Sequence, residues 1–177
     1  MIGIGISRAA DLLRAGEVVV ISTEMVYGLV ANVLDFVAVL KIFEAKQCPV
    51  FDLLIVHVHE RKQLTQLVRE MLLGAEAFMD AFWPGLLIFV LSKTDQVSDL
   101  VTSGLDIVGV WMLAHFVIIE LLRVVPFPLA APSANPFGYV SPTTAQHVAD
   151  QLGDRIPYIL DGGACEVGVE STILGWV

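Results

Sequence analysis

The 177-residue chain is 56% hydrophobic and 16% charged, with a formal net charge of −9, which gives enough apolar sequence for the core of one domain spanning residues 1–177. The acidic balance argues against a non-specific nucleic-acid binder, which needs clustered Lys and Arg. No uninterrupted apolar run reaches the roughly 18 residues of a membrane-spanning helix. Two cysteines, Cys48 and Cys165, imply no disulfide framework, and no basic segment precedes a long apolar stretch near Met1, so the expectation is a cytoplasmic protein without signal peptide or membrane contact.

In chain order, residues 8–15 read as a short helix, with Ser7 as its cap and Gly16 as its stop. Residues 17–22 are β-branched and apolar, hence a buried strand. Residues 35–45 place Val39, Ile42 and Phe43 on one helical face, and 53–58 form a second buried strand. Residues 60–82 read as two helical pieces broken near Gly74, before Pro84 and Gly85 turn the chain into a strand over 86–91. A strand over 106–112, a helix over 115–125 and a short strand over 129–131 follow. Residues 143–152 form a helix capped by Ser141 or Thr143, and the last strands cover 156–160 and 169–174. Strands alternating with helices predict an α/β sandwich around a mixed, twisted sheet.

Three segments carry the candidate chemistry. Ser22-Thr23-Glu24-Met25-Val26-Tyr27-Gly28-Leu29 directly follows a buried strand, where open α/β sheets gather ligand groups. Ala131-Pro132-Ser133-Ala134-Asn135-Pro136, continuing to Ser141-Pro142-Thr143-Thr144, is a proline-braced loop. Its Ser133, Asn135 and Ser141 offer donors without bulk, suited to phosphate oxygens. Asp161-Gly162-Gly163-Ala164-Cys165, then Gly168-Val169-Glu170-Ser171-Thr172-Ile173, sets a glycine pair beside a strand, without the Gly-Lys-Ser/Thr of a P-loop. Taken singly, each segment also reads as an ordinary turn. Lys46 alone reads as a solvated charge at a helix end, and His57 alone as a core histidine.

Together, in this order and with Phe82-Trp83-Pro84-Gly85 between them, the segments resemble the YrdC/TsaC family of threonylcarbamoyl-AMP synthases from about Ala9 to Ile173. The resemblance implies a twisted mixed sheet flanked by helices, with a concave cavity. It implies a reaction joining L-threonine, bicarbonate and ATP into threonylcarbamoyl-AMP with release of pyrophosphate, Mg²⁺ accompanying the ATP. A tRNA-modifying partner enzyme would then use the product, with at most a weak direct RNA contact by this chain.

Carried over position by position, Thr23, Tyr27, His57, Ala131 and Ser171 match the threonine pocket. Lys46, Ser133 and Ser141 match ATP contacts, and Lys46, Ser133 and Asn135 belong to the family's catalytic Lys/Arg/Ser/Asn tetrad. Several positions depart from that pattern. Cys48 stands where the tetrad has arginine, and Trp111 where another arginine grips the threonine carboxylate. Val50 replaces a small polar residue, Asp52-Leu53 an Asn-Pro pair, Ile107 a hydroxyl residue, and Leu113 and Phe116 prolines around His115. The family's final strand and Arg-Pro-Gly segment would lie beyond Val177. The other reading of this pattern is a catalytically impaired relative that acts as a nucleotide- or RNA-binding module.

Overall fold

The computed structural model describes residues 1–47, 53–169 and 171–175. Among the described residues nine strands form one mixed sheet: β1 (Ile2–Gly3), β2 (Val19–Ile21), β3 (Gly28–Asn32), β4 (Ile55–His57), β5 (Leu87–Ser92), β6 (Ile107–Trp111), β7 (Leu129–Ala131), β8 (Ile159–Leu160) and β9 (Thr172–Gly175). Their spatial order is β1-β8-β2-β3-β7-β4-β6-β5-β9. The pairs β2–β3, β3–β7, β4–β7 and β5–β6 are antiparallel, whereas β1–β8, β2–β8, β4–β6 and β5–β9 are parallel. The expected α/β architecture is therefore present.

Strand alternation divides the core between the two faces of the sheet. Val20, Leu29 and Ala31 point to one face, where they join Ile42 and Phe43 of helix α2 (Phe36–Lys46). Val19, Ile21 and Val30 point to the other, where they join Leu13 of α1 (Ile6–Arg14) and Leu121 of α6 (Phe116–Val124). The remaining α-helices are α3 (Leu64–Leu67), α4 (Ala75–Phe82), α5 (Asp99–Thr102) and α7 (Ala145–Leu152). Among the described residues no helix is long and apolar enough to cross a membrane.

Helix α2 starts where its sequence dictates: Asp35 Oδ1 accepts from the backbone N–H groups of Val37 (2.9 Å) and Ala38 (3.2 Å). The other caps differ from expectation. Ser7 lies inside α1, whose first turn begins after Gly5, and Thr144, not Ser141 or Thr143, caps α7 by accepting from His147 N–H. The first piece expected within 60–82 is reduced to a 3₁₀ turn over Arg61–Gln63 and the single turn of α3, because Val68 returns to extended backbone and bridges to Lys93. Strand β3 was not among the expected elements. Its short Leu29-Val30-Ala31 run sits directly against the polar 22–27 segment and has no periodicity of its own.

Candidate active site

The ends of β2, β4, β6 and β7 and the starts of β3 and β9 surround a cavity of about 260 Å³. Thr23, Lys46, His57, Ala131, Ser133 and Ser171 all border it, so these predicted site residues share one space. Tyr27, Asn135 and Ser141 are not among the described residues that line it.

Backbone hydrogen bonds hold the first two motifs side by side. Leu29 N–H donates to the Pro132 carbonyl (3.0 Å), Ala134 N–H to the Tyr27 carbonyl (2.7 Å) and Tyr27 N–H to the Pro142 carbonyl (2.8 Å). Lys46, the last residue of α2, is buried, and its Nζ donates to the Ser133 carbonyl at 2.5 Å. A buried ammonium needs such an acceptor, because an unsolvated charge is costly. Thr23 turns its hydroxyl onto its own loop: Oγ1 donates to the Val26 carbonyl (2.6 Å) and accepts from Met25 and Val26 N–H.

Register brings His57 and Trp111 together across the parallel β4–β6 pair, with ring centroids 5.4 Å apart. His57 is buried, and its Nδ1 has no hydrogen-bond partner among the described residues. Burial pushes its pKa down from the ordinary 6.5 to about 3, so the ring at the cavity wall is neutral at pH 7. The indole N–H of Trp111 donates to the Gly85 carbonyl at 2.6 Å. Lys46 is the one cation among the described lining residues, and no carboxylate is among them.

The predicted residues off the cavity brace its walls. The hydroxyl of fully buried Tyr27 lies 2.9 Å from Asp161 Oδ1 and 2.7 Å from the Gly163 carbonyl, which ties the glycine loop to the first motif. Burial and the neighbouring Asp161 carboxylate hold its pKa well above the usual tyrosine range. Asn135 donates from Nδ2 to the carbonyls of Pro136 (3.1 Å) and Tyr139 (2.8 Å), and its buried Oδ1 has no partner among the described residues. Ser141 precedes Pro142, whose carbonyl anchors Tyr27.

The glycine pair has a specific steric role. Gly163 sits at φ +95°, in the left-handed region that glycine tolerates. A Cβ on Gly162 would lie 2.0 Å from Ser22 Oγ and 2.7 Å from Val117 Cγ2. Beside it, burial lowers the His115 pKa against the opposing influence of Glu24 and Glu166, and raises that of Cys165. Glu24 Oε1 accepts from Ala114 N–H (2.6 Å), fastening the segment after β6 to the first motif.

Of the positions expected to depart from the family pattern, Cys48, Val50 and Asp52 lie outside the described residues. Leu53 and Trp111 line the cavity, Leu113 is buried in the core, and Ile107 and Phe116 are exposed away from it. The apolar lining from Val26, Ile55, Ile88 and Ile173 was missed at the sequence level. Alternation offered a signal for one of them: Ile55 stands two residues before His57 on β4 and so shares its face.

A sequence model of the Sua5/YciO/YrdC family, described as "Telomere recombination", matches residues 11–177. Threonylcarbamoyl-AMP synthase of Pyrococcus abyssi is 46% identical over 166 residues, covering 94% of this chain and 49% of that protein. The Bacillus subtilis protein of the same name is 47% identical over 170 residues, covering 96% and 49%. The crystal structure of P. abyssi Sua5 complexed with L-threonine superposes with a TM-score of 0.94 at 45% identity, covering 97% of this chain and 50% of that one. Escherichia coli YciO, at 20% identity and a TM-score of 0.84, shares the fold. The chain spans about half the length of the P. abyssi and B. subtilis proteins it matches, and it belongs to the Sua5/YciO/YrdC family.

Proposed function

We propose that the cavity makes threonylcarbamoyl-AMP from L-threonine, bicarbonate and ATP, releasing pyrophosphate and supplying a partner enzyme that modifies tRNA. One observation carries the reading. Lys46, Ser133, Thr23, His57, Ala131 and Ser171 border a single cavity in a chain 46–47% identical to proteins named threonylcarbamoyl-AMP synthase.

In this reading the threonine amine adds to the carbon of bicarbonate-derived carbon dioxide, giving a carbamate and releasing a proton. A carbamate oxygen then attacks the α-phosphorus of ATP, the bond from that phosphorus to the bridging oxygen breaks, and pyrophosphate leaves. Little covalent help is required of the protein, so catalysis rests on positioning and charge neutralisation. Lys46 would face the phosphates with Ser133, while Asn135 and Ser141 hold the loop that carries Ser133. The Nδ1 of neutral His57 would take a hydrogen bond from the amino-acid end, and Thr23, Tyr27, Ala131 and Ser171 would shape that end.

The described lining residues include no carboxylate, and no group of three or more His, Cys, Asp or Glu able to hold a metal occurs among the described residues. Mg²⁺ is therefore proposed to arrive with ATP as part of the substrate. Incubation with all three substrates, followed by chromatography and mass measurement, tests the proposal. A threonylcarbamoyl-AMP peak that needs each substrate supports it. ATP binding without that product would favour the impaired, nucleotide-binding reading, and salt-sensitive RNA binding without product the RNA-binding one.

A further inference from the structure

We propose that the amino-acid end of the cavity selects an amine with an uncharged head group, so that an amino-acid amide such as L-threoninamide binds this chain more tightly than free L-threonine, with Trp111 as the residue that sets the preference. The assignment rests on the synthase reading above for the place of the amine.

Strand register builds the wall at that end. Across β4, β6, β5 and β9, His57 stands beside Trp111, Trp111 beside Ile88, and Ile88 beside Ile173, and all four border the cavity. Residues paired in register share a face of the sheet, so the row is one continuous surface. Nothing in it carries a charge at pH 7: two members are isoleucines, burial keeps the His57 ring neutral, and an indole has no basic nitrogen. The single donor of Trp111 is already given to the Gly85 carbonyl (2.6 Å). Thr23, on the same cavity, spends its hydroxyl proton on the Val26 carbonyl (2.6 Å).

Charge then decides the head group. Lys46 is the one cation among the described lining residues, and with ATP bound the phosphates compete for it. A carboxylate at the His57–Trp111 wall would lose its water with no opposite charge to meet, and an unpaired buried charge is costly. An amide in its place gives up only neutral hydrogen bonds. It also carries both a donor and an acceptor, so it can pair with His57 Nδ1, which has no partner among the described residues, in either tautomer of the ring. A carboxylate, which only accepts, suits one tautomer. The α-amine is present in both compounds, so the chemistry balances as before: that amine adds to carbon dioxide and loses a proton, and a carbamate oxygen displaces pyrophosphate from the α-phosphorus.

Calorimetry on the whole chain at pH 7 compares L-threonine, L-threoninamide and L-threoninol, with the α,β-methylene analogue of ATP present to fill the phosphate end without reacting. The amide and the alcohol should each bind about tenfold more tightly than threonine. Trp111→Phe keeps an apolar ring and should keep that order, whereas Trp111→Arg supplies a guanidinium and should invert it. Unfolding curves show which variants are folded, and the parent's own ratios decide the head group even where a variant is not. Threonine bound by the parent as tightly as its amide or more tightly, no binding of either amine, or a folded Trp111→Arg that still prefers the amide would overturn the assignment. If the amide is preferred but neither amine gives a carbamoyl adenylate with bicarbonate and ATP, the head-group assignment stands and the synthase reading fails. If threonylcarbamoyl-AMP forms and threonine is the tighter ligand, only the head-group assignment fails.

Discussion

The indole N–H of Trp111 and the carbonyl of Gly85 are joined by a 2.6 Å hydrogen bond, while the same indole lines the cavity beside His57. The side chain has one donor, and the backbone already holds it. Trp111 thus offers the cavity an apolar surface where the family resemblance implies a guanidinium. Trp111→Arg should therefore tighten L-threonine binding by about tenfold or more, because a desolvated charge-assisted pair is worth roughly 2–5 kcal/mol. The change also removes a buried indole and should cost about 3 kcal/mol of stability. Threonine titration together with denaturant unfolding separates the two effects. Unchanged threonine affinity in a folded variant would mean that position 111 does not meet the carboxylate.

Lys46→Ala should weaken ATP binding about a hundredfold or more and threonine binding far less. It removes the one cation among the described lining residues and leaves the Ser133 carbonyl without that donor. Paired titrations of the two ligands read the split. Equal loss for both would point to collapse of the loop and not to a phosphate contact.

The buried His57 makes stability depend on pH. The unfolded chain protonates this histidine below about 6.5, and the folded chain not until about 3, so between those values the unfolded state binds more protons. Stability then rises with pH across that window and is lost on acidification, by about 1 kcal/mol per pH unit from this residue. His115, also lowered by burial, acts in the same direction. Denaturant midpoints between pH 7 and pH 4 should fall less steeply for His57→Phe than for the parent. Parallel slopes would show that His57 ionises as easily folded as unfolded.

Gly162→Ala should destabilise the fold by about 1–3 kcal/mol, since its methyl would enter space held by Ser22 Oγ and Val117. Ser22→Ala alone should be close to neutral, because the buried hydroxyl has no partner among the described residues. Combined with Gly162→Ala it should recover part of the loss. Additive effects in the double-mutant cycle would mean that the two residues do not meet.

Local signals in the sequence located what depends on local physics. Helix α2 follows its Asp35 cap and apolar face, and β7 spans the expected Leu129–Ala131. Thr23, Ala131, Ser133 and Ser171 lie in motifs next to strand ends, whereas Lys46 and His57, which alone read as a solvated charge and a core histidine, are singled out only by the family resemblance; all six border one cavity. What escaped depends on distant partners. Strand β3 exists because Gly28 to Val30 pair with β2 and because its other edge meets β7, 97 or more residues on. The Trp111–Gly85 bond links residues 26 apart, and the Tyr27 hydroxyl is fixed by Asp161 and Gly163, more than 130 residues away. The side-chain bonds of Tyr27 and Asn135 brace the loops beside the cavity, contacts that only the tertiary structure reveals.

The central claim is that this cavity couples threonine and bicarbonate to ATP cleavage at the α-phosphorus. Its most direct test is pyrophosphate release measured against ¹⁴C-bicarbonate incorporated into a nucleotide product, with threonine present or omitted. Equal amounts of pyrophosphate and labelled threonylcarbamoyl-AMP, both falling to background without threonine and both reduced in Lys46→Ala, are the predicted result. Pyrophosphate release that ignores threonine, or no label in any nucleotide while ATP still binds, would contradict it.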